Sequence, residues 1–131
     1  MDESMPAQDE KPTPNPFELA GEEHEGVHVI AIRGELDLHT APQLEQRLEQ
    51  VDANLLLLDL SGCEFIDSTG IGLIVRTWQR LDAGPDGDGG GRLALCGPGN
   101  QVRRLLEITG LESSLRTYAE RDEALAALGG E

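Results

Sequence analysis

Residues Asp59 to Gly72 read DLSGCEFIDSTGIG, and this stretch decides the fold. It joins the end of an apolar run, Leu55 to Leu60 (LLLLDL), to the start of a helical pattern. A short, continuous apolar run after a helix marks a central strand covered on both faces, as in parallel sheets. Beyond it, Ile71, Ile74, Val75, Trp78 and Leu81 form one apolar stripe and Arg76, Gln79 and Arg80 the other side, so the spacing predicts a helix over Ser68 to Ala83. Asp67 and Ser68 then fall at the helix N-terminus, where unpaired backbone N–H groups and the macrodipole favour negative charge. A phosphate on Ser68 would be stabilised there while adding about 1.5 to 2 negative charges to the surface. Gly70 and Gly72 carry no side chain, so another backbone or a nucleotide can approach Ser68 closely. The same spacing also suits Asp67 or Ser68 as a plain helix cap, and position alone leaves both roles open.

Working outward, Val27 to Arg33 (VHVIAIR) is β-branched and largely apolar, which predicts a well-buried strand. Phe17 to Gly21 suits a first strand, with a turn over Glu22 to Gly26. Gly34 to Thr40 (GELDLHT) reads as a loop ending in a helix start. Thr40 with Gln43 has capping-box spacing, and Pro42 sits in the first turn where proline is tolerated. Leu44, Leu48 and Val51 extend that pattern into an amphipathic helix over Ala41 to Asp52. On the other side, Gly84 to Gly91 (GPDGDGGG) is expected to be a flexible loop and Arg92 to Cys96 a strand. Asn100 is expected to cap a third helix through Thr109, stopped by Gly110. A short strand near Leu115 to Tyr118 and a helix over Asp122 to Leu128 complete the pattern. Strands alternating with helices imply an α/β layer fold with right-handed crossovers.

The chain has 131 residues, room for one domain with its own core. Residues 1–16 carry Pro6, Pro12, Pro14 and Pro16, several charges and almost nothing apolar, which predicts a disordered leader before a domain over 17–131. Lys plus Arg number 10 against 25 Asp plus Glu, a formal net charge of −15. That balance opposes docking on nucleic acid or on anionic membrane surfaces, while a basic protein partner would be steered in. Cys63 and Cys96 sit apart among apolar residues and read as buried, reduced thiols. With no apolar run long enough for a membrane helix and no signal peptide, the expected compartment is the cytoplasm.

Other chemistries fit poorly. Ser68 lacks the Gly-x-Ser-x-Gly frame of a hydrolase nucleophile, and His39 reads as solvated. Asp82, Asp86 and Asp88 lack the glutamate a calcium loop needs, since Gly97 falls at its position. His24 and His28 among Glu22, Glu23 and Glu25 suit a solvated turn better than a metal site. Arg103 and Arg104 are too few for a nucleic-acid face.

The pairing of GELDLHTAPQL (Gly34 to Leu44) with DLSGCEFIDSTGIGLIV (Asp59 to Val75) resembles the STAS domain of bacterial anti-sigma factor antagonists. The likeness runs from about Phe17 to Leu128, while the leader falls outside it and the Gly84 to Gly91 loop is long for its place. The resemblance implies a STAS fold: a small, mixed, mostly parallel sheet of about four to five strands flanked by about four helices. It implies that Ser68, directly after the Asp of the D-S-[ST]-G motif, is phosphorylated by the partner, an anti-sigma factor with ATP-dependent serine kinase activity. Unphosphorylated antagonist would bind that kinase and free the sigma factor, phosphorylation would break the complex, and a separate serine phosphatase would restore it. Asp37 matches the Asp of the G-E-L-D loop, with a role in shaping the kinase-facing surface or orienting the serine, although a loop cap for its own backbone is an equal reading. Thr69 matches the second hydroxyl position, as a supporting residue or helix cap. On this reading the chain is not an enzyme, holds no metal or cofactor, and leaves ATP to its partner. The rival use of the same fold is a non-switching subunit or scaffold, as in lipid-transport complexes or nucleotide-sensing modules.

Overall fold

The computed structural model describes residues 16–83 and 91–129. Five strands form one sheet in the order of the chain. They are β1 (Glu18–His24), β2 (Val27–Leu36), β3 (Leu55–Ile66), β4 (Arg92–Cys96) and β5 (Arg116–Tyr118). The helices are α1 (Ala41–Glu49), α2 (Ser68–Ala83), α3 (Asn100–Thr109) and α4 (Arg121–Gly129), with a single 3-10 turn at Leu111–Ser113. β1 pairs antiparallel with β2 through the tight turn at Glu25 and Gly26, and every later pairing is parallel. The mixed, mostly parallel sheet expected from the sequence is therefore present.

The apolar run of β3 makes it the central strand. Leu56, Leu57, Leu58 and Leu60 are each no more than 2% exposed. Leu56, Leu58 and Leu60 pack beneath α1, α2 and α3, together with Leu44, Leu48, Ile71, Ile74, Val102 and Leu106. Leu57 faces the opposite layer, against Val27, Val29, Ala94 and the α4 residues Ala124 and Leu128. Burying each such side chain stabilises the fold by about 1.5 to 3 kcal/mol, which is why three helices gather on one face and one on the other.

Several details differ from the sequence reading. β1 runs to His24, so the turn expected over Glu22 to Gly26 shrinks to Glu25 and Gly26, because Glu22 to His24 pair with Val27 to Val29. β2 and β3 run on to Leu36 and Ile66, because their parallel register continues past two one-residue shifts that bring Leu36 opposite Ile66. The residues Gly34 to Leu36, expected in a loop, are thus strand. α1 ends at Glu49, and Thr40 makes no side-chain cap. α3 is preceded by Gly99 as its cap, so Asn100 is its first residue instead of its cap, while Gly110 closes it in a left-handed conformation as expected. On α2, Leu73 and Thr77 lie deeper than Val75, Trp78 and Leu81, so the buried stripe is rotated toward α1. The glycine-rich loop lies, but for buried Gly91, outside the described residues, as does the leader up to residue 15.

Asp59, in the middle of β3, is only 8% exposed. Its Oδ1 accepts from the Ser61 N–H at 3.0 Å and the Ser61 hydroxyl at 2.8 Å. Its Oδ2 accepts from Arg121 Nε at 3.0 Å and Nη2 at 2.8 Å, while Arg121 Nη1 donates to Glu22. One guanidinium thereby ties α4 to β3 and to edge strand β1. Desolvation pushes the Asp59 carboxyl up, but the Ser61 N–H, Arg121 and the Ser61 hydroxyl together hold it below its ordinary value. Burial, the Asp59 charge and an Asp59 hydrogen bond push the neighbouring Cys96 thiol up to about 12. Burial likewise raises the Cys63 thiol, and both cysteines are free and buried, as the sequence suggested.

Arg121→Ala is expected to cost about 2 kcal/mol at neutral pH, because it leaves a buried carboxylate short of its charged donor. A carboxyl held low in the folded state stabilises above its unfolded pKa of about 3.9, and that contribution is lost as pH falls through the lower folded value. Urea unfolding at pH 7 and at pH 3 tests this: the gap between wild type and Arg121→Ala should shrink at the acid end.

Candidate functional site

The C-terminal ends of β2 and β3 lie side by side at one end of the sheet, and the DST segment leaves from there. Beyond Asp59 and Cys96, β4 no longer accompanies β3, so the far end of β3 has an open side. Gln101 of α3 fills it. Its Oε1 accepts from the Ile66 N–H and its Nε2 donates to the Ile66 carbonyl, both at 3.0 Å. A side-chain amide thus stands in for a neighbouring strand and fixes the residue just before Asp67.

Asp67 then joins two segments. Its N–H donates to the Leu36 carbonyl at 3.1 Å, and its own carbonyl accepts from Ile71 at 3.0 Å. Its Oδ1 accepts from the Gly70 N–H at 3.0 Å, a helix cap on α2, and its Oδ2 accepts from the Leu38 N–H at 3.2 Å. The cap role left open by spacing therefore belongs to Asp67. Ser68 is released from it: it is exposed at the first residue of α2, and its hydroxyl has no hydrogen-bond partner among the described residues. Thr69 follows, half-buried.

Gly70 and Gly72 divide in role. Gly70 is buried, and a Cβ there would come within 2.8 Å of the Leu36 carbonyl and 2.9 Å of the Ile66 side chain. Its missing side chain admits the chain's own β2 end, not an outside group. A Cβ on half-buried Gly72 would meet only the end of Arg76, at 3.5 Å.

Asp37 shapes the facing loop. Its Oδ1 accepts from the backbone N–H of His39 at 2.9 Å and of Thr40 at 3.1 Å. The Thr40 hydroxyl accepts from the Asp37 N–H at 2.9 Å and lies 2.7 Å from the Glu35 carbonyl and 3.2 Å from Oδ1. Partial desolvation raises the Asp37 carboxyl, but the Thr40 and His39 N–H groups and the Thr40 hydroxyl lower it further, leaving it below its ordinary value. Asp37 is joined to Ser68 by no direct hydrogen bond among the described residues; the loop it builds reaches the serine through Leu38 and Asp67. Thr40 serves this loop, which explains why it does not cap α1.

The sequence reading missed Gln101, Leu38 and Phe65. Leu38 is 64% exposed and Phe65 38% exposed, two large apolar side chains left in water at the site. For Leu38 the signal was an apolar residue set between Asp37 and His39 in a polar loop; Gln101 offered none, since an early-helix glutamine is unremarkable.

A family model of the STAS domain matches residues 18–124. The chain belongs to the STAS domain family. It is 30% identical over 116 residues to an anti-sigma F factor antagonist of Paenibacillus polymyxa, covering 86% of this chain and 95% of that one. The crystal structure of an anti-sigma factor antagonist from Mycobacterium paratuberculosis superposes with a TM-score of 0.77 at 33% identity, covering 88% of this chain and 97% of the other. The antagonist SpoIIAA is similar in its unphosphorylated form, with TM-score 0.69, 26% identity and coverage of 88% and 98%. A Bacillus SpoIIAA in its phosphorylated form gives 0.64, 25%, and 86% and 98%. The family resemblance and the STAS fold read from the two motif blocks are thus borne out.

Gly70→Ala is expected to destabilise the fold by about 2 kcal/mol through overpacking against Leu36 and Ile66. Gly72→Ala should stabilise it by up to about 1 kcal/mol, since the helix gains propensity and nothing is displaced. Thermal or urea unfolding of the two variants checks the contrast. Gln101→Ala should cost about 1 to 3 kcal/mol by orphaning both backbone groups of Ile66, and amide hydrogen exchange at Ile66 should quicken in step.

Proposed function

We propose that this chain is an anti-sigma factor antagonist: it binds a kinase-type anti-sigma factor, so freeing a sigma factor, and phosphorylation at Ser68 ends that binding. The observation that carries the reading is the free, exposed Ser68 hydroxyl, spared from capping by Asp67, whose carboxylate also holds the loop that bears exposed Leu38, with exposed Phe65 two residues before Asp67. A phosphoacceptor must leave its hydroxyl open to another enzyme's active site, and exposed apolar side chains beside it suit a protein interface. The names of the relatives support the general role of a regulatory binding protein. SpoIIAA, whose fold this chain shares, exists in unphosphorylated and phosphorylated forms.

On this reading the partner kinase brings the ATP, and this chain supplies the acceptor. Asp37 and Thr40 hold the loop that presents Leu38, and Asp67 holds that loop against α2. Thr69 and Gly72 lie on the same approach, with Gly72 leaving α2 bare where the partner seats. A phosphoryl group on Ser68 would meet the helix N-terminus favourably, so the fold itself tolerates it. In the complex the same group would place about 1.5 to 2 negative charges beside Asp67 in an apolar contact. An uncompensated charge in an interface costs several kcal/mol, and each 1.4 kcal/mol is about tenfold in affinity. A serine phosphatase would then regenerate the binding form. Such exchange belongs in the cytoplasm; no helix among the described residues is long and apolar enough to cross a membrane.

Wild type and Ser68→Ala should bind a purified kinase-type anti-sigma factor of the source organism alike, and Ser68→Asp should bind at least about tenfold more weakly. Mass spectrometry after incubation with that kinase and ATP should place one phosphate on Ser68 and none on Ser68→Ala. Equal binding by all three proteins would overturn the switch.

A further inference from the structure

Over most of its length α2 departs from the acidity of the chain as a whole, as does the carboxylate-free stretch Gly91 to Leu106. In a molecule with 25 acidic residues, the stretch Ser68 to Leu81 (STGIGLIVRTWQRL) contains no carboxylate and two arginines, Arg76 and Arg80. Both arginines are exposed, and neither has an ion-pair partner among the described residues. Arg33 and Arg121, by contrast, are paired with Glu18, and with Asp59 and Glu22.

The two sit one helical turn apart, and they flank a surface groove of about 270 Å³ between α1 and α2, floored by Leu48, Leu73 and Thr77. Glu45 and Glu49 line the α1 wall of that groove without bridging to the arginines. At 1.5 Å per residue, Arg76 and Arg80 lie about 12 and 18 Å along the helix from Ser68. Side chains at positions 68, 72 and 76 step round the same outward side by about 40° each, so the serine, the bare glycine and the first arginine form one continuous strip.

We propose that Arg76 and Arg80 are specificity-determining residues of the docking surface, and that they take a pair of carboxylates presented about one helical turn apart by the anti-sigma factor. The inference rests on the partner-switching reading above and names the chemistry of the partner at the same site. Unpaired guanidiniums are the side chains best suited to grip carboxylates with two donors each. On a molecule of net charge −15, an acidic patch on the partner is repelled by most of the surface and accepted at an arginine strip such as this one, which is the one continuous with Ser68. The arginine pair therefore fixes the orientation in which the kinase meets the serine, more than it adds to overall attraction. Glu45 and Glu49 on the opposite wall sharpen the choice, because carboxylates seated toward α1 are rejected and those toward α2 accepted.

The test is titration of the purified kinase-type anti-sigma factor against wild type, Arg76→Glu/Arg80→Glu and Arg103→Glu/Arg104→Glu. The last variant makes the same change in net charge on α3, where the comparison pair lies. Binding of the first double variant should fall at least about thirtyfold with a flatter salt dependence, and binding of the second by less than about threefold. Its rate of Ser68 phosphorylation should fall with its affinity, while its unfolding midpoint stays at the wild-type value. Equal losses for the two double variants would mean that only net charge matters and would overturn the arginine strip. Undiminished binding by Arg76→Glu/Arg80→Glu would overturn it too, leaving the Ser68 switch standing if Ser68→Asp still binds weakly. Failure of wild type to bind any kinase-type anti-sigma factor of the source organism would overturn both readings.

Discussion

The carboxylate of Asp67 is the constraint on which the candidate site depends. One oxygen caps α2 through Gly70 and the other holds the Leu38 amide of the β2–α1 loop. A carboxylate accepting backbone N–H bonds at a helix N-terminus is well placed electrostatically, and here it spends both oxygens on the protein's own backbone. That leaves the adjacent serine with nothing to do inside the fold. A side chain that serves no structural end and points to water is available for modification without loss of stability.

Rigidity around that serine comes from several elements at once. Gln101 reaches from α3 to pin Ile66, Gly70 lets β2 press against the first turn of α2, and Asp37 with Thr40 shapes the loop on the other side. The serine therefore stands on a fixed platform even though it is exposed. Recognition by an enzyme that must bring a phosphate into line with one hydroxyl benefits from such fixed geometry, because little ordering remains at the moment of contact.

Charge is distributed with a similar division. The chain as a whole is acidic, and Arg121 at the start of α4 is committed to Asp59 and Glu22. The α2 strip beside Ser68 departs from that, free of carboxylates from Ser68 to Leu81. A surface that is repulsive overall and attractive along one strip discriminates orientation as well as partner.

Much of this was legible in the residues. The run LLLLDL could be buried on both faces only as a central strand, and α2 and β4 have the bounds their patterns predicted, because apolar periodicity is enforced by a core on one side and water on the other. The position of Ser68 at a helix start was equally readable. Whether Asp67 or Ser68 would cap that helix was not, since both residue types serve and the choice turns on the Leu38 amide, 29 positions away in sequence. Gln101 and the depth of Gly70 were hidden for the same reason: each is defined by a backbone segment far along the chain that only the folded sheet brings alongside. Local pattern carries the identity of the elements, because each residue's preference depends on its near neighbours; the bonds that free one hydroxyl and fix its surroundings join distant segments, and only tertiary packing decides them.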